Sequence, residues 1–377
     1  MKKLLVASTA LVAFAAVSTS AQAADPIKLS ISGFMNQWAG YSDNENDNGA
    51  ANYSQIGTHS DVEIYFRGST KLDNGLTVGV NIDTERSGGT DGDSDDTFLS
   101  VSGDALGTVK IGSTKGVSYG LGNKHGDVGV GLDDGIGTKF VNTGLATAND
   151  SNRISTLTNG NDGHKVVYLT PNFGGIQAGF SYGLVSEGNV GTADLQDANN
   201  DIQYNAGIAY KGDFGGVAVG ADINYEMFED GGLTGGGATS ATTEGLDQVK
   251  NEETIRAGLS VSTAGFTVAA SYIDTDNVNF VTDQDTQAWE VGVKYATGPY
   301  AVSAAYFQRE TEDSGLSTAK EDTLDVILVS GSYNLGAGVT LAGSVLHIES
   351  DDASDNSANQ TDEGSNWGVI AGLKVAF

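Results

Sequence analysis

Gly179-Phe180-Ser181-Tyr182-Gly183 has the Gly-x-Ser-x-Gly spacing that presents a nucleophilic serine when it falls on a strand-to-helix turn. Here the five residues lie inside an alternating polar–apolar stretch, so the serine reads as a strand position. The four histidines, His59, His125, His164 and His347, are scattered. None has the i, i+4 spacing of a zinc-binding helix or a nucleophile beside it, and they read as loop or strand-end residues. The chain has no cysteine, which removes thiolate nucleophiles, disulfides and Cys-ligated zinc. Asp91, Asp93, Asp95 and Asp96 resemble half of a calcium loop but lack the closing bidentate glutamate. A looser oxygen-ligand site for structural Ca2+ or Mg2+ stays open there and near Asp351, Asp352 and Asp355, because crowded carboxylates favour a bridging divalent cation. No cofactor is required by anything in the sequence, and no enzyme is expected.

The 377 residues carry a formal charge of -30 and a pI of about 4.1, which excludes nucleic acid as a partner. A disordered acidic chain is poor in aromatics and rich in proline, whereas this one has 14 Tyr, 13 Phe and 3 Trp against 3 Pro. Its 53 glycines follow no collagen period and point to turn-rich β-structure. Residues 1–23 read as a secretory signal peptide: Met1, Lys2 and Lys3 give a basic start, Leu4 to Val17 an apolar stretch, and Ala21-Gln22-Ala23 a cleavage site. After them no apolar run approaches the ~20 residues that a membrane-spanning helix needs. Two products remain, a soluble β-protein and an outer-membrane barrel.

The elements that hold these residues are read from alternation. Asp61, Glu63, Tyr65, Arg67 and Ser69 fall on one face of a strand with Val62, Ile64 and Phe66 on the other. The pattern recurs at Leu76 to Asp83, Ile202 to Tyr210, Ile255 to Val261 and Trp289 to Tyr295. Tight Gly-containing turns at 73–75, 103–107, 172–175, 213–216, 264–265, 297–299 and 335–338 alternate with long acidic stretches near 41–58, 87–95, 115–163, 187–200, 229–251, 275–285, 311–321 and 350–364. Those connections give sixteen strands, and pairing the last with the first closes residues 24–377 into one all-β transmembrane antiparallel barrel. Phe173, Tyr210, Phe214, Phe266, Tyr295, Tyr300, Tyr333 and Phe377 lie beside the tight turns, where an interfacial aromatic girdle belongs.

The run from Val166 to Tyr182, with Pro171-Asn172-Phe173-Gly174-Gly175 at its centre and Asn152-Arg153-Ile154 before it, resembles the strand-turn-strand after the constriction loop of Gram-negative general-diffusion porins. The ending Leu373-Lys374-Val375-Ala376-Phe377 is similar to the outer-membrane assembly signal of that class, with Phe377 as its terminal residue. The resemblance implies a 16-stranded homotrimer in the cell outer membrane, among lipid and lipopolysaccharide, placed there by the outer-membrane assembly machinery. It also implies a water-filled channel for passive diffusion of small hydrophilic solutes and ions, with the third long loop folded into the lumen. Length supports the same loop: structureless connections beyond ~15 residues are uncommon without a role, and about 49 residues run from Lys115 to Gly163. Asp127, Asp133 and Asp134 on this candidate constriction loop would face Lys28, Arg67, Lys110, Arg256 and Lys294 on the pore wall, setting a transverse field. A substrate-specific channel would show a line of inward aromatics, and a secreted acidic adhesin would stay soluble without detergent.

Overall fold

The computed structural model describes residues 25–44, 55–85, 94–132, 135–143, 154–158, 163–185, 201–229, 251–278, 284–313, 320–351 and 363–377. The expected signal peptide, residues 1–23, lies outside them. Sixteen strands are formed: β1 Ser30–Asp43, β2 Ile56–Lys71, β3 Thr77–Glu85, β4 Ser94–Gly103, β5 Gly107–Ser113, β6 His164–Leu169, β7 Ile176–Val185, β8 Asp201–Asp213, β9 Ala218–Glu229, β10 Glu252–Thr263, β11 Phe266–Asp276, β12 Thr286–Thr297, β13 Tyr300–Asp313, β14 Lys320–Gly336, β15 Val339–Asp351 and β16 Glu363–Ala376. Each pairs antiparallel with its neighbours in sequence, and β16 returns to β1 with Phe34 opposite Ala376 and Asp43 opposite Trp367. A closed barrel leaves no unpaired edge, which is the condition for β-structure in lipid. The seam ends with Gly33 and Phe377 exchanging backbone hydrogen bonds of 2.8 and 3.0 Å.

The tight turns fall where the glycine spacing put them. Asn172-Phe173-Gly174-Gly175 and Asp213-Phe214-Gly215-Gly216 are built alike: both glycine pairs have positive φ, and the side chains of Asn172 and Asp213 accept from the amides of Gly175 and Gly216 at 2.8 and 3.0 Å. On the long-loop side, β1 and β2 run further than expected, so 41–43 and 56–58 are strand.

Alternation assigns the two faces. Trp289, Val291 and Val293 on β12 and Trp367, Val369 and Leu373 on β16 point outward and are exposed, as an apolar lipid-facing surface must be. Ring pairs mark the turn end at Tyr210–Phe214, Phe266–Tyr295 and Tyr300–Tyr333, 6.2, 4.4 and 4.9 Å between centroids. A second belt that the sequence reading missed marks the other end at Tyr41–Trp367, Tyr182–Tyr204 and Trp289–Tyr306, 5.6, 5.3 and 5.0 Å apart.

The inner face is not uniformly polar. Ala305, Phe307, Leu324, Val326, Leu328, Leu346, Ile348 and Ile370 on β13 to β16 point inward and are buried in one cluster with Val130, Leu132, Ile136, Phe140 and Val141 of the β5–β6 connection. In Leu324-Asp325-Val326-Ile327-Leu328-Val329 the inward Leu324, Val326 and Leu328 are buried under the connection while the outward Ile327 and Val329 are exposed as the lipid-facing surface, and such a near-continuous apolar run is the signal that would have identified it.

Candidate functional site

The β5–β6 connection begins with a five-residue helix, α1 Val117–Leu121, and then follows the inner face of the wall strand by strand. Val117 N donates to Ser181 Oγ of β7 at 3.2 Å, and Ser118 Oγ meets Asn205 of β8 and Glu226 of β9, the latter at 2.9 Å. Asn123 bonds Asp222 of β9 through its amide and its side chain at 2.7 and 3.0 Å. Further along, Val128 N reaches Ser303 Oγ of β13 and Val130 N reaches Ser344 Oγ of β15, at 3.3 and 3.0 Å. Asn366 of β16 donates to Asn142 O at 2.9 Å, and the Phe140 ring lies against Gly40 of β1, where a Cβ would come within 2.6 Å of it. These contacts run from β7 round to β16 and β1, and the inward side chains of β2 to β5 form the facing arc.

That arc carries Arg67, whose side chain is 49% exposed; it donates to Asn81 and Asp83 at 2.6 and 2.7 Å and lies 4.0 Å over the Tyr65 ring. Lys110 is also inward, 4.6 Å over Phe98. Two more cations cap inner rings, Lys115 over Tyr119 at 5.1 Å and Lys374 over Trp38 at 6.0 Å. Sequence reasoning placed Tyr65 inward but missed Phe98 and Trp38, which occupy inner positions of β4 and β1.

Three of the expected pore residues sit elsewhere. Arg256 is fully buried beneath the connection, donating Nε to Thr156 O at 2.8 Å, Nη1 to Asp222 and Nη2 to Asn123 O. An arginine so enclosed holds the loop and cannot present its charge to a passing ion. Lys28 precedes β1 in an exposed stretch and is not an inward strand residue. Asp127 turns back into its own segment, accepting from Leu132 N at 3.1 Å and pairing with His125 Nε2 at 3.0 Å. Lys294 is inward on β12 and adjoins Gly126. Asp133, Asp134, Asp91 and Asp93 lie outside the described residues. Asp95 and Asp96 belong to strand β4 and not to a loop. Among the described residues no group of three or more His, Asp or Glu side chains is arranged so that it could hold a metal ion.

His125 is the residue whose role the sequence concealed. Its side chain is 2% exposed, with Nε2 on Asp127 and Nδ1 3.4 Å from Glu290 Oε1 of β12, an ion-pair distance without hydrogen-bond geometry. Burial works against the imidazolium, and the two carboxylates outweigh it, raising the pKa to about 9. The ring rests on Gly292 of β12, where any Cβ would stand 2.4 Å from it.

A closed antiparallel barrel, apolar outside, banded by aromatics at both ends and partly polar within, defines an outer-membrane channel. The chain belongs to the Gram-negative porin family, whose model matches residues 7–353. It is an outer-membrane porin, a channel and not an enzyme. The outer membrane porin protein LC of Enterobacteria phage PA-2 is 25% identical over 350 residues, 88% of each chain. The anion-selective porin from Comamonas acidovorans has a similar fold, with a TM-score of 0.59, 20% identity and coverage of 93% of this chain and 100% of that one. The trimer form of OmpT from Vibrio cholerae is similar with a TM-score of 0.58 and 13% identity, covering 94% of this chain and 100% of that one.

Proposed function

We propose that the protein conducts small hydrophilic solutes and ions passively through a water-filled lumen that is narrowed by the connection 115–163. The observation that carries this reading is the path of that connection along the inner face, from β7 to β16 and β1. The opening then lies between the loop and the Arg67–Lys110 arc. We extend the reading to a homotrimer in lipopolysaccharide-containing outer membrane, exported by cleavage after Ala23 and recognised for assembly through Phe377. The absence of cysteine makes a clean test available. Lys124 is exposed on the loop, so Lys124→Cys labelled with a bulky cationic thiol reagent should lower single-channel conductance, while the unaltered protein ignores the reagent. Full labelling with unchanged conductance would remove the loop from the channel border.

The capped rings of Tyr65, Phe98 and Tyr119, which are only partly buried, favour a second reading, a lumen selective for anionic solutes that carry apolar groups. Each ring supplies an apolar surface and each cation a charge. Concentration-dependent block of the ion current by an aromatic carboxylate, weakened in Arg67→Ala, would support it; equal flux of all small solutes would leave general diffusion.

A further inference from the structure

We propose that His125 is a positioning residue that docks the loop on β12 and sets the width of the channel, holding this stretch in place only while it is charged. The inference rests on the reading that the connection 115–163 borders the lumen. Its basis is the pair of carboxylates that face the two ring nitrogens. Both ring nitrogens face carboxylate oxygens, Nε2 to Asp127 at 3.0 Å and Nδ1 to Glu290 at 3.4 Å. A neutral imidazole has one donor and one acceptor, so in that state one nitrogen lone pair would point at a carboxylate. Only the doubly protonated ring both hydrogen-bonds Asp127 and sets positive charge, rather than a lone pair, at ion-pair distance from Glu290.

The surrounding charges agree with this state. From the loop come Asp127 and, one residue before His125, the exposed Lys124. From β12 come Glu290 and Lys294, whose Nζ adjoins Gly126. From β11, Ser271 Oγ donates to Glu290 at 3.0 Å, and from β10 the Arg256 charge acts on Glu290 while Arg256 itself is neutralised by Asp222 of β9. The nearby docking cation is therefore already paired, and His125 supplies the local counter-charge between Asp127 and Glu290. The two docks differ in chemistry: one is a guanidinium, the other an imidazole, whose charge is lost on deprotonation. The folded pKa of about 9 lies above the ordinary 6.5, so the stabilisation from this contact is complete below about pH 6.5 and is lost as pH rises through about 9. Above that the segment around 125–127 is released while Asn123 stays tied to Arg256 and Asp222.

The test is single-channel recording of the whole protein in planar bilayers at high salt, between about pH 7 and 10. The unaltered channel should show a one-proton change in conductance and open-channel noise with its midpoint near 9. His125→Gln should behave at neutral pH as the unaltered channel does at alkaline pH, with the transition lost; its own alkaline profile accounts for lysine and tyrosine titration. Asp127→Asn, which keeps the imidazole but removes one carboxylate, should move the midpoint to lower pH, and a variant that only loosened the fold would not move it. A flat profile in the unaltered protein, or a transition that persists unchanged in His125→Gln, overturns the proposal. If that happens while labelled Lys124→Cys still lowers conductance, the latch fails and the loop's place at the channel border stands. If the labelling also has no effect, the underlying reading fails with it.

Discussion

Arg256 sends Nε, Nη1 and Nη2 to three partners, Thr156 O, Asp222 and Asn123 O, and none of these contacts is open to solvent. Removing one member of such a pair is costly because the other charge stays buried without a counter-ion. Arg256→Met should therefore destabilise the folded protein by roughly 3–5 kcal/mol, read by urea unfolding in detergent. Much of that loss should return in the double variant Arg256→Met/Asp222→Leu, since neither charge is then stranded. Equal stability of the single variant and the unaltered protein would show that Asp222 does not depend on Arg256. Lysine is not expected to rescue, because a point charge cannot reach three acceptors in the fork geometry of a guanidinium. His125 is the titratable counterpart of this anchor, and its ring tolerates nothing larger than glycine at position 292.

At the scale of strands, lipid and lumen separate by alternation. Val293 on β12 is 41% exposed on the outward face, whereas Ser69 on β2 is exposed on the inward one. Val293→Lys should cost about 2–4 kcal/mol if that site is near the bilayer midplane, and Ser69→Lys much less. Equal loss in a refolding titration into vesicles would overturn the face assignment. Asn81, also inward, is a poor place for this comparison because it accepts from Arg67 at 2.6 Å and donates to Asp96 O at 3.3 Å, so a lysine there would meet a like charge. Alternation misleads for β13 to β16, where inward Phe307, Leu328 and Ile348 pack against Val130, Leu132 and Ile136 of the loop. The second apolar face belongs to a small core inside the barrel.

For the molecule as a whole, the sign of the charge competes between regions. The chain carries -30, with many of its carboxylates in the long connections, while Arg67 and Lys110 stand on the facing arc of the wall. Diluting salt from 0.1 M to 0.01 M lengthens screening from ~10 to ~30 Å, which lets carboxylates in the connections act throughout the vestibule. Reversal potentials in a KCl gradient should show a weak cation preference that grows on dilution and is larger in Arg67→Ala. Cation preference that weakened on dilution would show that the mouth does not govern ion access. Arg256→Ala, expected from sequence to act in the same way, should not do so through the field, because Asp222 neutralises the charge beneath the loop.

Period-two alternation and glycine punctuation were enough to read sixteen strands, their turns, the lipid face and the closure, because each is fixed by local backbone chemistry and by which side of a strand meets lipid. Glu63, Arg67 and Lys110 could be assigned inward for the same reason. What local pattern could not supply was contact between distant residues: Arg256 with Asp222 and Asn123, or His125 with Glu290, separated by 165 positions in the chain. A lumen-facing cation and a buried anchoring cation look identical in a strand of alternating residues. Only the path of the β5–β6 connection over β10 and β12 distinguishes Arg67, which meets water, from Arg256, which meets the loop, because burial is a property of what lies above a side chain and not of its position in the strand.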